Sequence, residues 1–155
     1  MAEAVVQVTR VGELMLATDP ETAFELFEPA GESRWAAGWS PRFIYPSDGT
    51  AQVGAVFARD NEPQSVWLVA DYDRSAHRIV YAVFVPEVRV TRLEINCAAR
   101  DAGMTRALIA YTHTSLGERG DVYLARFSED HYAREMQHWQ RAIDDHLAGR
   151  PLDPQ

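Results

Sequence analysis

Two residues on the last predicted β-strand have the side chains best suited to chemistry. Within Met104–Ser115, Tyr111 and His113 are two positions apart and therefore share one face of the strand. If that face looks inward, a neutral His113 could act as general base on an acidic C–H or hydroxyl group, with Tyr111 polarising a carbonyl. The opposite face carries Leu108, so the pattern leaves both orientations open. We predict His113 and Tyr111 as the candidate catalytic residues.

A polar set, Arg92, Glu94 and Asn96, shares one face of the preceding predicted strand. Facing inward, the guanidinium would bind a carboxylate or phenolate ligand. The alternate positions are apolar and are predicted to be buried: Leu93, Ile95 and Cys97. We therefore expect the polar set to lie on the outer, solvated face of the sheet.

Three potential metal ligands, His131, Glu135 and His138, lie near the start of a predicted helix. Imidazole and carboxylate groups can bind metal ions, but these positions lie mostly off the apolar stripe, as is usual for a solvated helix face. The chain has no glycine-rich phosphate loop, no serine nucleophile elbow and no zincin motif. We predict no metal site and no cofactor.

The composition excludes several classes of protein. A length of 155 residues suits one domain over residues 1–155, with the last five or so forming a loose tail. The net charge of −8 argues against nucleic acid and anionic membranes, since both require clustered basic residues. All fifteen basic residues are arginine, which excludes lysine Schiff-base chemistry. The single cysteine, Cys97, cannot form an intramolecular disulfide and is expected in the core.

Targeting signals are not evident in the sequence. Met1–Val8 contains Glu3 and lacks the basic and apolar regions of a signal peptide. No apolar run approaches the ~20 residues that span a bilayer. We expect a cytoplasmic protein without membrane insertion. The sequence does not set the oligomeric state, and a homodimer is compatible with it.

The elements that must position these side chains begin with a strand over Val5–Ala17 and two short helices. Asp19 caps the first helix, which ends by Pro29, and the second is predicted over Glu32–Ala37. Turn-rich clusters then separate six further strands, which indicates an antiparallel meander. These strands are predicted at Arg42–Tyr45, Val53–Arg59, Ser65–Tyr72, Arg78–Val85, Glu87–Ala99 and Met104–Ser115.

The apolar pattern changes phase within Glu87–Ala99. Val88 and Val90 have one parity, whereas Leu93 and Ile95 have the other. A one-residue change of phase predicts a β-bulge, and a bulge bends a long strand. The sheet is therefore predicted to be curved.

The strongest helical pattern covers Ser128–Ala148. Ser128 can cap the helix, and Phe127 and Tyr132 have the positions of a hydrophobic staple. Large apolar residues recur at the helical period: Tyr132, Met136, Trp139, Ile143 and Leu147. Since the sheet is the surface available to bury this stripe, the helix is predicted to close over it.

A bent sheet around a helix leaves an interior that side chains or a ligand must fill. The chain has four tryptophans and six tyrosines against six phenylalanines. Buried indole N–H and phenol groups need hydrogen-bond partners, which water or a polar ligand edge can supply. We predict a cavity for a small apolar or aromatic ligand, lined by Trp35, Trp39, Phe57, Trp67, Tyr81, Tyr111, His113, Met136 and Trp139.

Several segments carry a resemblance to a known family: Asp19–Phe27, Pro29–Glu32, Trp35, Gly38–Pro41, Tyr111–Gly117 and the terminal helix around Trp139. In them the chain resembles the START-like, or SRPBCC, superfamily, which includes polyketide cyclases/dehydrases, tree-pollen allergens and lipid-transfer domains. The resemblance covers nearly all of the chain. It implies an α+β helix-grip fold, in which a curved seven-stranded antiparallel sheet wraps around a long C-terminal helix and two short helices join strands 1 and 2.

The resemblance also implies a ligand cavity, without specifying a substrate. In this fold the short helices lie at the cavity mouth, where Trp35 and Trp39 either form the rim or support the sheet edge. The first functional hypothesis is a binding module for a small hydrophobic or aromatic metabolite. The second is a cyclase/dehydrase-like enzyme, and the third a co-chaperone-like interaction domain.

The interior of the protein distinguishes these hypotheses. An open cavity above about 300 Å³ with His113 inside favours the enzyme. An open cavity without titratable groups favours the carrier. A filled core with an exposed apolar patch favours the interaction domain.

Overall fold

The computed structural model describes residues 6–152 as one antiparallel sheet with three α-helices. The strands are β1 (Gln7–Leu16), β2 (Arg42–Tyr45), β3 (Val56–Arg59), β4 (Ser65–Asp73), β5 (Arg78–Val85), β6 (Arg89–Ala99) and β7 (Thr105–Ser115). The helices are α1 (Pro20–Glu25), α2 (Glu118–Arg126) and α3 (Glu129–Leu147), and short 3-10 helices cover Gly31–Arg34 and Asp101–Gly103.

The strand order is β1-β7-β6-β5-β4-β3-β2. Every strand therefore neighbours the next one along the chain, except that β1 is placed beside β7. This curved sheet and the long C-terminal helix confirm the predicted α+β fold. The predicted strand start at Val5 and residues 153–155 of the expected tail lie outside the described residues.

The segment between β1 and β2 contains less helix than predicted. Helix α1 begins as expected, with Oδ1 of Asp19 accepting a hydrogen bond from the Thr22 amide at 2.9 Å. The second helix, predicted over Glu32–Ala37, is only the 3-10 helix Gly31–Arg34. The chain reverses tightly here, since a Cβ on Gly31 would lie 1.7 Å from the carbonyl oxygen of Glu25.

The bulge predicted in β6 is wrong. The strand pairs in continuous register with both β5 and β7. Val88 precedes the strand, while Val90 lies on the outer face and is 38% exposed. The change of phase thus reflects an apolar residue on the outer face. Irregular pairing occurs instead in β4, between Val69 and Asp71, and in β2.

Helix α3 has the predicted start, stripe and position. The Ser128 hydroxyl accepts a hydrogen bond from the His131 amide at 3.1 Å, and the rings of Phe127 and Tyr132 lie 5.6 Å apart. The side-chain amide of Gln140 bonds to both backbone groups of Met15, at 2.8 and 3.0 Å. These bonds fix α3 against the edge strand β1.

Helix α2 was not predicted. It buries Gly120 and Leu124, and Tyr123 packs partly buried against the core. A Cβ on Gly120 would lie 2.0 Å from the carbonyl oxygen of Val88. The Ser115 hydroxyl donates to Oδ1 of Asp121 at 2.7 Å. Helix α2 therefore packs closely against the end of β7 and closes that end of the sheet.

The core lies between the inner face of the sheet and the helices. Cys97 is part of it, as expected, and burial raises the pKa of its thiol to about 12. Within residues 6–152, no helix has the length and apolar character needed to cross a membrane. The largest aliphatic side chains buried in the core are Leu14, Leu16, Leu26, Ile79, Leu93, Ile95, Ile109 and Ile143.

Candidate ligand-binding cavity

A cavity of about 600 Å³ lies between the inner face of the sheet and the helices. Strands β3 to β7 form one wall, and the chain following α1, the β3–β4 loop, α2 and α3 form the rest. This volume is in the range of small-molecule sites. All four tryptophans of the chain lie on the wall: Trp35, Trp39, Trp67 and Trp139.

The indole rings are held in place by hydrogen bonds and by one another. The N–H of Trp35 donates to the Leu26 carbonyl at 2.7 Å, and that of Trp39 donates to the Pro29 carbonyl at 2.8 Å. The ring centroids of Trp35 and Trp139 lie 5.3 Å apart in an edge-to-face contact. With these N–H groups engaged, the rings offer mainly apolar surface to the cavity.

Six of the nine residues predicted to line the cavity do so: Trp35, Trp39, Trp67, Tyr111, His113 and Trp139. The other three lie elsewhere. Phe57 is buried behind Trp67, on which its ring stacks at 5.4 Å. The Tyr81 hydroxyl donates to the Phe27 carbonyl at 2.7 Å. Met136 lies in a separate groove between α3 and β1, because it projects from a different side of the helix.

The sequence pattern left the orientation of β7 open, and the structure places Tyr111 and His113 on its inner face. Ile109 and His113 are buried beneath the helices, and Tyr111 lies between them on the same face. The rings of Tyr111 and His113 stack at a centroid distance of 5.4 Å. Both candidate catalytic residues are therefore side by side on the cavity wall.

The polar set of β6 has the opposite orientation, as expected. Glu94 accepts hydrogen bonds from Asn96 at 2.8 Å and from Arg78 at 3.3 Å, and it pairs with Arg92 at 2.8 Å. These hydrogen bonds, that of Asn96 foremost, lower the pKa of Glu94 to about 2. The set stabilises the outer face and makes no contact with the cavity.

A hydrogen-bond network fixes the His113 imidazole. Its Nδ1 lies 2.6 Å from the Thr91 hydroxyl oxygen, which also accepts a bond from Arg89 at 2.7 Å. Since Arg89 can only donate, the hydroxyl proton of Thr91 is satisfied when Nδ1 accepts it. The ring proton is then on Nε2, which has no partner within the described chain.

This environment makes His113 neutral. Burial, assisted by the nearby Arg89 charge, lowers the pKa of His113 to about 3. A group with so low a pKa is a weak base at neutral pH. Its geometry suits a hydrogen-bond donor better than a general base.

Several polar residues on the wall were not predicted as site residues. Glu32 is only 5% exposed, and burial raises its pKa to about 8. The Arg59 guanidinium lies 4.6 Å from the ring centre of Trp39, and that of Arg89 lies 4.3 Å from Tyr123. These residues come from polar stretches or strand ends, so no local pattern distinguishes them from solvated side chains.

The N-terminal half of α3 contributes a polar edge to the cavity. His131, Glu135 and His138 lie on it, and Nε2 of His131 is 3.1 Å from a carboxylate oxygen of Glu135. No group of three or more potential ligand residues among positions 6–152 is arranged to hold a metal ion.

Comparisons with known proteins identify the architecture. No family model matches the sequence, and no curated protein matches it either. A hypothetical protein from Helicobacter pylori has a similar structure, with a TM-score of 0.71 at 10% identity over 88% of this chain and 86% of that chain.

Two enzymes of known structure are also similar. Norcoclaurine synthase from Thalictrum flavum, solved with dopamine and hydroxybenzaldehyde, has a TM-score of 0.61 at 10% identity, over 90% of this chain and 88% of that chain. A Streptomyces aromatase/cyclase has a TM-score of 0.64 at 11% identity, over 93% and 99%. The helix-grip resemblance drawn from the sequence is thus confirmed at the level of the fold.

Proposed function

Because the chain has the helix-grip fold, we propose that it binds a small, largely apolar molecule, aromatic at least in part, in the cavity between the sheet and α3. The observation that carries this proposal is the cavity of about 600 Å³ with four tryptophans on its wall. The N–H groups of Trp35, Trp39 and Trp67 are engaged by the protein itself, so these rings favour an apolar ligand body. Similar support comes from norcoclaurine synthase, which was solved with two aromatic molecules.

Thermal-shift screening against aromatic and fatty metabolites tests this function. A ligand at 100 times its Kd should stabilise the native state by about 2.7 kcal/mol. The same substitution on the two faces of the sheet provides matched variants. Val83→Phe fills part of the cavity and should abolish the stabilisation, whereas Val90→Phe on the outer face should retain it. Absence of stabilisation by every compound would contradict the proposal.

A cyclase/dehydrase-like enzyme is the second candidate, because the cavity exceeds 300 Å³ and contains both Tyr111 and His113. A Streptomyces aromatase/cyclase among the structural neighbours gives it further support. The low pKa of His113 weighs against its role as general base. NMR titration of His113 with and without ligands checks this role. A pKa that no cavity ligand changes would eliminate it.

The interaction hypothesis has one supporting feature. Val66, Phe84 and Val90 form a row across the outer face of β4, β5 and β6, and each is 38–45% exposed. However, the interaction hypothesis predicts a filled core, whereas the protein contains an open cavity of about 600 Å³. Small-molecule binding therefore has the stronger support.

A further inference from the structure

Three polar side chains on the cavity wall lack partners. The Arg59 Nε is buried without a hydrogen bond. Within residues 6–152, neither the Glu32 carboxyl group nor the Tyr111 hydroxyl forms a hydrogen bond, and Glu32 forms no ion pair. Buried polar atoms normally have partners, and the two buried side-chain atoms that lack one within residues 6–152, Arg59 Nε and His113 Nε2, both belong to residues of this cavity wall, which indicates a place where a ligand supplies a partner.

These groups come from different parts of the chain but affect one another. The Arg59 charge opposes the effect of burial on the pKa of Glu32. Burial raises the pKa of Tyr111 well above its ordinary value, and the charge of an ionised Glu32 would raise it further. Glu32 is thus electrostatically coupled to both Arg59 and Tyr111, and all three residues line the same cavity; we call them together the polar end of the cavity.

At neutral pH all three groups are hydrogen-bond donors. The pKa of Glu32, raised to about 8, keeps its carboxyl group protonated at pH 7. Tyr111 also retains its proton, and an arginine side chain has no acceptor. With Glu32 neutral, Arg59 is the charged member of the unit. Such an arrangement favours an acceptor group with negative charge.

We propose that the polar end, formed by Glu32, Arg59 and Tyr111, anchors a carboxylate or sulfonate head group of an otherwise apolar ligand. This inference rests on the proposed binding function and specifies the class of ligand. The tryptophans would surround the apolar body, while the three donors would bind the anionic oxygens. A cationic ligand would instead require an ionised Glu32 and would compete with Arg59 for it.

The proposal makes binding depend on pH. Other titratable or charged groups face Glu32 or share its cavity wall: Tyr81 on β5, Glu62 in the β3–β4 loop, Arg89 on β6, His113 on β7, Tyr123 on α2, and His131, Arg134, Glu135 and His138 on α3. The Tyr81 hydroxyl is already engaged by the Phe27 carbonyl. As the pH rises through about 8, Glu32 loses its donor proton and gains a charge that repels an anion. Binding of an anionic head group should therefore weaken.

Two probes with the same ring system test the inference. 1-Anilinonaphthalene-8-sulfonate is anionic, and N-phenyl-1-naphthylamine lacks the sulfonate. Fluorescence titrations from pH 6.5 to 9.5 at constant ionic strength would give both Kd values. For the anionic probe we expect Kd to rise about tenfold between pH 7 and pH 9, as follows from the loss of one proton. The uncharged probe should show no such change.

Variants assign the effect to the named residues. Glu32→Gln keeps a donor but cannot ionise, so it should abolish the pH dependence while leaving the wall histidines in place. Arg59→Gln should weaken the anionic probe about tenfold at pH 7 and spare the uncharged probe. Glu62→Gln, at an exposed position on the same wall, should retain the native profile. Circular dichroism would verify that each variant is folded.

The outcomes separate this inference from the function on which it rests. Binding of the uncharged probe, with a pH-independent Kd for the anionic probe or a pH dependence that persists in Glu32→Gln, would overturn the anionic anchor alone. Failure of both probes to bind, or equal binding to Val83→Phe, would overturn the binding function as well.

Discussion

The hydroxyl oxygen of Thr91 lies 2.6 Å from Nδ1 of His113, and both side chains are only 1% exposed. The pair connects β6 to β7, and Arg89 completes it from the other side of the hydroxyl group. A histidine held in this way is fixed in ring orientation and in tautomer. His113 is therefore better suited to donate a hydrogen bond from Nε2 than to act as the general base that its position on the strand first suggests.

Thr91→Val should destabilise the protein by about 1–3 kcal/mol, because it leaves Nδ1 of His113 and a donor of Arg89 without their partner. Urea denaturation would measure the loss. Thr9→Val is a matched control, since Thr9 is an exposed strand residue whose hydroxyl bonds only to that of Thr112. Nitrogen-15 NMR shifts of the imidazole should also change in Thr91→Val. Equal losses in both variants would contradict a special role for the buried pair.

His113 should make the native state sensitive to acid. Its pKa is lowered to about 3, so the unfolded chain takes up a proton near pH 6.5 while the folded chain does not. The stability from this residue is complete above pH 6.5 and decreases as the pH falls toward 3. His113→Gln should remove about 2–4 kcal/mol of that decrease.

Urea denaturation at pH 4 to 7.5 would test this difference, with His138→Gln as an exposed control on α3. NMR provides a direct measurement, because the imidazole signals of His113 should not titrate above pH 4. A transition near the ordinary pKa of histidine would refute the neutral, buried state.

The architecture could be predicted where local and global patterns agree. Helix α3 has a cap at Ser128, a staple between Phe127 and Tyr132, and an apolar stripe with one period, and all three occur in the structure. Short turns between consecutive strands similarly predict an antiparallel sheet. These features depend on residues close in sequence.

Errors arose where burial departs from simple alternation. Val90 is apolar but lies on the outer face, beside Phe84 on the neighbouring strand. Because Val90 belongs to this outer apolar row, the apolar pattern of β6 changes phase although the strand contains no bulge. Helix α2 was missed because it is only nine residues long and its start, at Gly117, has no side-chain cap.

The aromatic part of the site could be predicted better than its polar part. Tryptophans are rarely fully solvated, so their number alone indicates an interior wall. Glu32 and Arg59 instead belong to polar stretches that usually face water. Only the reversal of the chain after α1, combined with the position of β3, places both beside the cavity. Such long-range juxtapositions have no signature in a single sequence.

Gly120→Ala should be strongly destabilising, by about 2–4 kcal/mol, because the added methyl group meets backbone that cannot move aside. A Cβ there would lie 2.0 Å from the Val88 carbonyl oxygen and 2.5 Å from the Ser115 hydroxyl. Helix α2 must then move away from the sheet, taking Tyr123 from the cavity wall. Thermal unfolding would measure the effect, with Arg119→Ala as an exposed control on the same helix. A native-like melting temperature would show that the packing of α2 is less close than described.

Glu32→Gln should stabilise the protein increasingly as the pH rises. The pKa of Glu32 is raised from an ordinary 4.5 to about 8, so the unfolded state ionises first. The contribution of Glu32 to stability is therefore complete below pH 4.5 and is lost as the pH rises through about 8. Glutamine has no such loss, and the difference in unfolding free energy between variant and native protein should grow by about 2–4 kcal/mol from pH 5 to pH 9.

Urea denaturation across this pH range would measure that difference. Glu62→Gln removes a carboxylate from an exposed position on the same cavity wall, and its profile should run parallel to that of the native protein. If Glu32→Gln also ran parallel, Glu32 would already be ionised in the folded state below pH 5. Its carboxylate would then be a charged acceptor at neutral pH, and the cavity would favour a cation over the anion proposed above.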